Sequence, residues 1–211
     1  MDWKAWEPQI QTFLDRQLAA GDAAHDLAHI RRVVGNARLL AAAEGVDLAV
    51  VLPAAWLHDC VILPKDSPQR GQASRLAAET AVSFLQSINF PAVYHDEIAH
   101  AIAAHSFSAG IPPRTPAARV VQDADRLDAL GAVGIARCML VGGKLDRPLY
   151  DPDDPFCESR PPDDVLYTID HFYTKLLRLA DQMQTTAGRA EAARRTVFMR
   201  HYLEQLRREV G

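Results

Sequence analysis

The segment Pro53 to Leu63, Pro-Ala-Ala-Trp-Leu-His-Asp-Cys-Val-Ile-Leu, sets the tightest constraint on this chain, because it seats two ionisable residues, His58 and Asp59, inside an otherwise apolar run. Burying either one unpaired costs several kcal/mol. Two arrangements avoid that cost. One is a hydrogen-bonded core histidine beside a capping aspartate; the other is a divalent cation that both groups ligate. The run by itself does not choose between them.

A chain of 211 residues that is 48% apolar can bury one substantial core, and a single domain over residues 1–211 is expected. Its 23 basic and 27 acidic residues leave a net charge of −4, with no basic tract of five or more. That pattern argues against a nucleic-acid partner, so any substrate phosphate must be met by local cations. The three cysteines, Cys60, Cys138 and Cys157, are scattered and odd in number, which suits a reducing compartment better than a disulfide framework. Residues 1–6 show neither a basic start before an apolar core nor a cleavage-like site, and no apolar run approaches the roughly 18 residues that span a bilayer. A soluble, cytoplasmic protein with no membrane partner is expected. Its oligomeric state is unknown from sequence.

Helical spacing dominates the chain and strand alternation is absent, so the fold class is all-α. Trp6, Ile10, Phe13, Leu14 and Leu18 predict a helix over 3–20, and Leu27, Ile30, Val34, Ala37 and Ala41 one over 27–44, with His25 and His29 at its start. A third helix, 47–62, contains Pro53, which costs about 3 kcal/mol in a helix interior and therefore predicts a start or kink there. Residues 64–71 form a loop in which Ser67-Pro68 resembles an N-cap. The following helix reaches Ser87 and is expected to bury Leu76, Ala77, Thr80, Phe84 and Ile88. Over 91–106, Ile98, Ala101, Ile102 and His105 face inward, whereas Asp96, Glu97 and His100 face water. A helix over 117–130 carries Asp123, Asp125 and Asp128 and is followed by another over 135–141. Residues 142–164, rich in proline and aspartate, are expected to be a mobile lid or disordered. Two helices, 166–185 and 188–210, complete the chain; Arg189, Arg194, Arg195 and Arg200 of the last read as a solvated face.

A site assembled from His29, His58, Asp59 and one late aspartate would join two imidazoles to two carboxylates. Such a set suits one divalent transition ion, manganese, iron, cobalt, nickel or zinc, with coordination positions left over for water. By lowering the pKa of water the ion supplies a nucleophile suited to phosphorus. Asp123 and Asp125 lie about 200° apart around one helix, so only one of them can face the ion.

In order along the chain, His25-Asp26-Leu27-Ala28-His29-Ile30-Arg31-Arg32-Val33, then His58-Asp59, then Asp123-Ala124-Asp125-Arg126-Leu127-Asp128-Ala129 resemble the HD-domain metal-dependent phosphohydrolase superfamily. Lys65, Arg70, Ser74, His105-Ser106-Phe107, Gly142-Gly143 and His171 to Leu177 are similar to its small stand-alone bacterial members. The resemblance spans roughly residues 20–205. It implies an HD-type helical bundle and a metal site of His29, His58, Asp59 and Asp125, with manganese favoured. Two departures narrow the substrate. Enzymes of this superfamily that hydrolyse guanosine tetraphosphate carry a Glu-Asp pair where this chain has Ile62 and Leu63, and the cyclic-dinucleotide phosphodiesterases carry a Gly-Tyr-Pro motif that is absent here. One ion is therefore expected, a second being possible only through His100 or His105.

The expected partner is a small phosphorylated molecule, most simply a nucleotide. Asp59, Arg126 and Lys65 are the candidate catalytic residues, Asp59 by orienting water and the two cations by offsetting phosphate charge. His25, Lys65, Arg70, His105 and Arg126 are the candidate substrate contacts. For each a structural role competes: a helix cap for His25, loop solvation for Lys65 and Arg70, a core hydrogen bond for His105, and a pairing with Asp123 for Arg126. The loop cations favour nucleoside triphosphate pyrophosphohydrolysis. A nucleoside 5′-monophosphatase, or another phosphomonoesterase or phosphodiesterase, is the alternative chemistry, and a metal-retaining nucleotide-binding scaffold the non-catalytic alternative.

Overall fold

Helical periodicity accounts for every regular element in the structure, a computed structural model that describes residues 3–18, 27–61, 63, 70–106 and 109–211, with Lys4, Leu18 and Arg70 described for backbone alone. Among the described residues there are nine α-helices and no strand: α1 (Glu7–Leu18), α2 (Leu27–Glu44), α3 (Leu48–Leu57), α4 (Ala73–Ser87), α5 (His95–His105), α6 (Pro116–Leu127), α7 (Gly131–Lys144), α8 (Asp170–Thr174) and α9 (Thr186–Val210). None of these is long and apolar enough to cross a membrane. The chain forms two compact units, residues 1–125 and 126–211.

In the first unit α3 is the central rod. Every side chain from Ala49 to Leu57 is buried, and α2, α5 and α1 pack around it. The helix starts where its spacing predicts, directly after Asp47, and not at Pro53, one of the two outcomes the proline penalty allowed. Asp47 caps it by accepting a hydrogen bond from Ala49 N at 2.9 Å, so Pro53 falls in the interior. Burial on all sides offsets the backbone hydrogen bond that proline cannot donate. The helix also stops at Leu57, short of the expected Ile62, leaving His58 as its C-cap and Asp59 in the turn beyond. Consecutive side chains diverge by about 100° in a helix, so only a break lets two adjacent residues turn toward one point.

The buried stripe of α4 is Ser74, Ala77, Ala78, Ala81 and Leu85, rotated from the expected one. Phe84 is half-buried and stacks on Phe13 of α1, with ring centroids 4.1 Å apart. The inward face of α5 is as expected, with Ile98, Ala101, Ile102 and His105 all buried.

In the second unit α7 packs on α9, and α7 includes Gly142 and Gly143 rather than ending before them. The segment that follows is not disordered, because carboxylates organise it. Asp154 accepts hydrogen bonds from the backbone N–H groups of Glu158, Ser159 and Arg160. Arg160 in turn forks onto the fully buried Asp170 at 2.5 and 2.9 Å, and Asp163 N donates to the same carboxylate at 2.6 Å. The expected helix over 166–185 is instead α8 followed by a 3-10 stretch, Leu176–Gln182. The turns before α8 are tied down by hydrogen bonds from Thr168 N and Ile169 N to Pro148 O and Leu149 O. Arg195 is not merely solvated: it donates to Leu127 O at 2.6 Å.

Two glycines of α7 make opposite demands. A Cβ on Gly134 would lie 2.2 Å from the Ala129 carbonyl oxygen, a backbone atom, whereas a Cβ on Gly143 would meet nothing within 4 Å. Gly134→Ala should therefore lose about 2 to 3 kcal/mol of stability, and Gly143→Ala should gain up to about 1 kcal/mol from helix propensity. Denaturant midpoints of the two variants measure this, and equal losses would contradict the packing described.

Candidate metal centre

Four polar side chains from three helices converge in the first unit. His29 comes from the first turn of α2, where its neighbours Ile30, Val33 and Val34 are core residues and drag the imidazole inward. His58 and Asp59 come from the end of α3. Asp125 comes from α6, whose register is fixed by two hydrogen bonds: Asn36 Nδ2 of α2 donates to Ala124 O at 3.1 Å, and Gln122 Nε2 donates to Ala104 O of α5 at 2.7 Å. Asn36 and Gln122 were not singled out from sequence. The signal available was a polar residue on a core-facing stripe.

The donor atoms face one another. His58 Nε2 lies 3.3 Å from His29 Nε2. His29 Nε2 is 3.7 Å from Asp59 Oδ2 and 3.5 Å from Asp125 Oδ1, and His58 Nε2 is 3.6 and 3.8 Å from the same two oxygens. These separations are long for direct hydrogen bonds. Such spacing suits ligand atoms about 2 Å from one ion: His29, His58 and Asp125 form a trio within reach of it, and Asp59 stands against both imidazoles. The imidazole side is sealed, with His29 2% and His58 0% exposed, whereas Asp59 and Asp125 are 24% and 28% exposed and keep the cluster open to solvent.

Protonation states suit ligation. His58 Nδ1 lies 2.8 Å from Ala55 O and donates to it, which leaves the Nε2 lone pair directed at the cluster. Burial holds the His58 pKa below its ordinary value, outweighing the opposite pull of Asp59. Burial would raise Asp59, but the surrounding His58, His105 and His29 hold it well below the usual carboxylate range. Neutral imidazole beside ionised carboxylate is the ligand form of both groups. The neighbouring thiol is no competitor: burial, assisted by the Asp59 charge, pushes Cys60 up to about 12.

The two aspartates of α6 lie in different surroundings, as their spacing predicts. Asp123 is fully buried on the other side of α6, and Asp125 is the one beside His29 and His58. His105 is more than a core residue. Its Nδ1 lies 2.6 Å from Ile102 O and its Nε2 3.4 Å from Asp59 Oδ1, so it stands against the carboxylate oxygen that the first cluster leaves over. His58, Asp59 and His105 form a second trio within reach of one ion. His100, the other histidine considered, belongs to neither trio; its Nε2 accepts from Arg114 N at 3.0 Å. Arg126 follows Asp125 in the chain and donates to Gln182 O at 2.5 Å. His25 and Lys65 lie outside the described residues, as does the side chain of Arg70.

Comparison with known proteins agrees with this geometry. The HD domain family model matches residues 26–130, a span that contains all four converging residues. The chain is 31% identical over 206 residues to the uncharacterized protein YpgQ of Bacillus subtilis, covering 96% of this chain and 92% of that one. A Bacillus thuringiensis crystal structure described as an HD-superfamily hydrolase superposes with a TM-score of 0.76 at 34% identity, covering 99% of this chain and 98% of that one. The structure of Bacillus subtilis YpgQ in complex with ADP superposes with a TM-score of 0.75 at 32% identity, covering 99% and 97%.

His58→Ala and Asp125→Asn should each purify without stoichiometric metal while keeping their helical content. Asp123→Asn should keep its metal but unfold at lower denaturant, because it alters a fully buried carboxylate. Elemental analysis beside circular dichroism reads both, and full metal occupancy in the first two variants would refute the ligand assignment.

Proposed function

Since the chain belongs to the HD family of metal-dependent hydrolases, we propose that it hydrolyses phosphoanhydride bonds of nucleotides, cleaving nucleoside triphosphates to monophosphate and pyrophosphate. The observation that carries this reading is the trio His29, His58 and Asp125 within reach of one ion, with Asp59 against both imidazoles and the two carboxylates partly open to solvent. A divalent ion held there, manganese first, supplies Lewis acidity and lowers the pKa of water.

The chain's own residues supply the rest. His29 and His58, fixed by burial, set the geometry without contributing charge. Asp59 turns one oxygen toward these imidazoles and the other toward His105, so the two together can orient the attacking water and take its proton. As water oxygen bonds to the α-phosphorus, the bond to the bridging oxygen breaks and pyrophosphate leaves with that oxygen. Arg126, Lys65, Arg70 and His25 are proposed to meet the phosphate chain and offset its charge. The nucleotide part of the reading is supported by the relative crystallised with ADP, and a diphosphate ligand there favours a polyphosphate over a monoester. We further propose that the two compact units act as one HD-type domain, working with a single ion in the cytoplasm.

Incubation with manganese and a panel of nucleotides, with products separated by chromatography, tests the reaction. Pyrophosphate and the monophosphate should appear together and vanish with chelator. Phosphate released from a deoxynucleoside monophosphate, with triphosphates untouched, would replace this reading with a nucleotidase, and metal-loaded protein without any turnover would leave a scaffold. His105→Ala should lower kcat by about 10² to 10⁴ while retaining the ion, as expected of a group that handles a proton.

A further inference from the structure

An open surface groove of about 590 Å³ lies in the first unit, lined by α4, α5 and the segment 109–114. It is not the metal cluster. His100 lines it, five residues before His105 and about 140° around α5 from it, and none of His29, His58, Asp59, His105 or Asp125 does. The wall is apolar, with Ala99 and Ala103 of α5 opposite Ile111. His100 Nε2 accepts from Arg114 N, which pins the segment to α5 and leaves Nδ1 as the protonated nitrogen.

The charged side chains at the rim are exposed. Arg75 and Arg114 both line the groove, and among the described residues no ion pair or hydrogen bond uses either guanidinium. Glu79 lines it too and makes no ion pair with Arg75, although the two stand one turn apart on α4, where such pairs form readily. Two free forked donors, one free carboxylate and an apolar wall call for a ligand with an anionic group, a flat apolar part and hydroxyl donors.

We propose that this groove is a second binding site, for a nucleoside monophosphate. Its phosphate lies between Arg75 and Arg114, its base against Ala99, Ala103 and Ile111, and its ribose hydroxyls donate to Glu79. The volume suits such a ligand, small-molecule sites spanning about 300 to 1,000 Å³. Occupancy here bears on the metal cluster through the backbone: segment 109–114 joins α5, which ends at His105, to α6, which carries Asp125. A ligand that stiffens this connection is placed to act as an effector, and a monophosphate would report the product of the reaction proposed above. The choice of nucleotide rests on that proposed function; the exposed arginines and the groove do not.

The test is amide NMR of the full chain titrated with AMP, with inorganic phosphate and adenosine as separate arms. Saturable shifts are expected at Gly110, Ile111 and Arg114, with adenosine and phosphate each binding at least about tenfold more weakly than AMP. Arg75→Ala with Arg114→Ala should weaken AMP at these amides by at least about tenfold, leaving turnover without AMP and helical content unchanged. Shifts confined to the surroundings of His29 and Asp125 would overturn the site, and phosphate binding as tightly as AMP would overturn the nucleotide. Because the readout is binding, it stands or falls separately from phosphohydrolase activity.

Discussion

Two buried imidazole nitrogens pointed at each other across 3.3 Å, with carboxylate oxygens 3.5 to 3.8 Å from each, make up the interaction on which the first unit depends. These separations are long for direct hydrogen bonds, and a shared cation is the arrangement we propose for them. The demand propagates outward. α2 must bring His29 inward on its core stripe, α3 must stop at Leu57 so that His58 and Asp59 both turn to the same point, and α6 must be locked in register by Asn36 and Gln122. A rigid, wholly buried α3 is what makes the stop precise enough, and its apolar surface is what tolerates Pro53.

The same burial sets the chemistry. It keeps His58 neutral, and the ring of imidazoles keeps Asp59 ionised, so the ligands are ready without proton loss. Asp59 then divides its two oxygens between the cluster and His105. In the mechanism proposed above, that division lets Asp59 face the ion site with one oxygen and His105 with the other.

Much of this was legible in the sequence. Helical spacing gave the bounds of α2 correctly, the inward face of α5, and the opposed placement of Asp123 and Asp125, because each follows from 3.6-residue periodicity alone. What failed had a different physical origin. A start of α3 at Pro53, one of two outcomes expected there, did not occur, because the Asp47 cap and burial outweigh the intrinsic cost of the proline. The buried stripe of α4 runs through small residues, Ser74, Ala77, Ala78 and Ala81, that a pattern of large apolar side chains does not reveal. The segment after α7 read as mobile from its prolines and aspartates, yet Asp154, Arg160 and Asp170 tie it into place through hydrogen bonds that no periodicity encodes. Likewise His105 could be placed on the inner face of its helix, but its approach to Asp59 joins residues far apart in the chain.

The central claim is that His29, His58, Asp59 and Asp125 surround one divalent ion. Anomalous X-ray scattering from crystals of the manganese-loaded protein, recorded on either side of a manganese-sensitive wavelength, tests it most directly. The account predicts one anomalous peak within about 2.0 to 2.3 Å of Nε2 of His29 and His58 and of a carboxylate oxygen of Asp59 and Asp125. A peak held by other side chains, or loaded crystals with no peak between the two histidines, would contradict it.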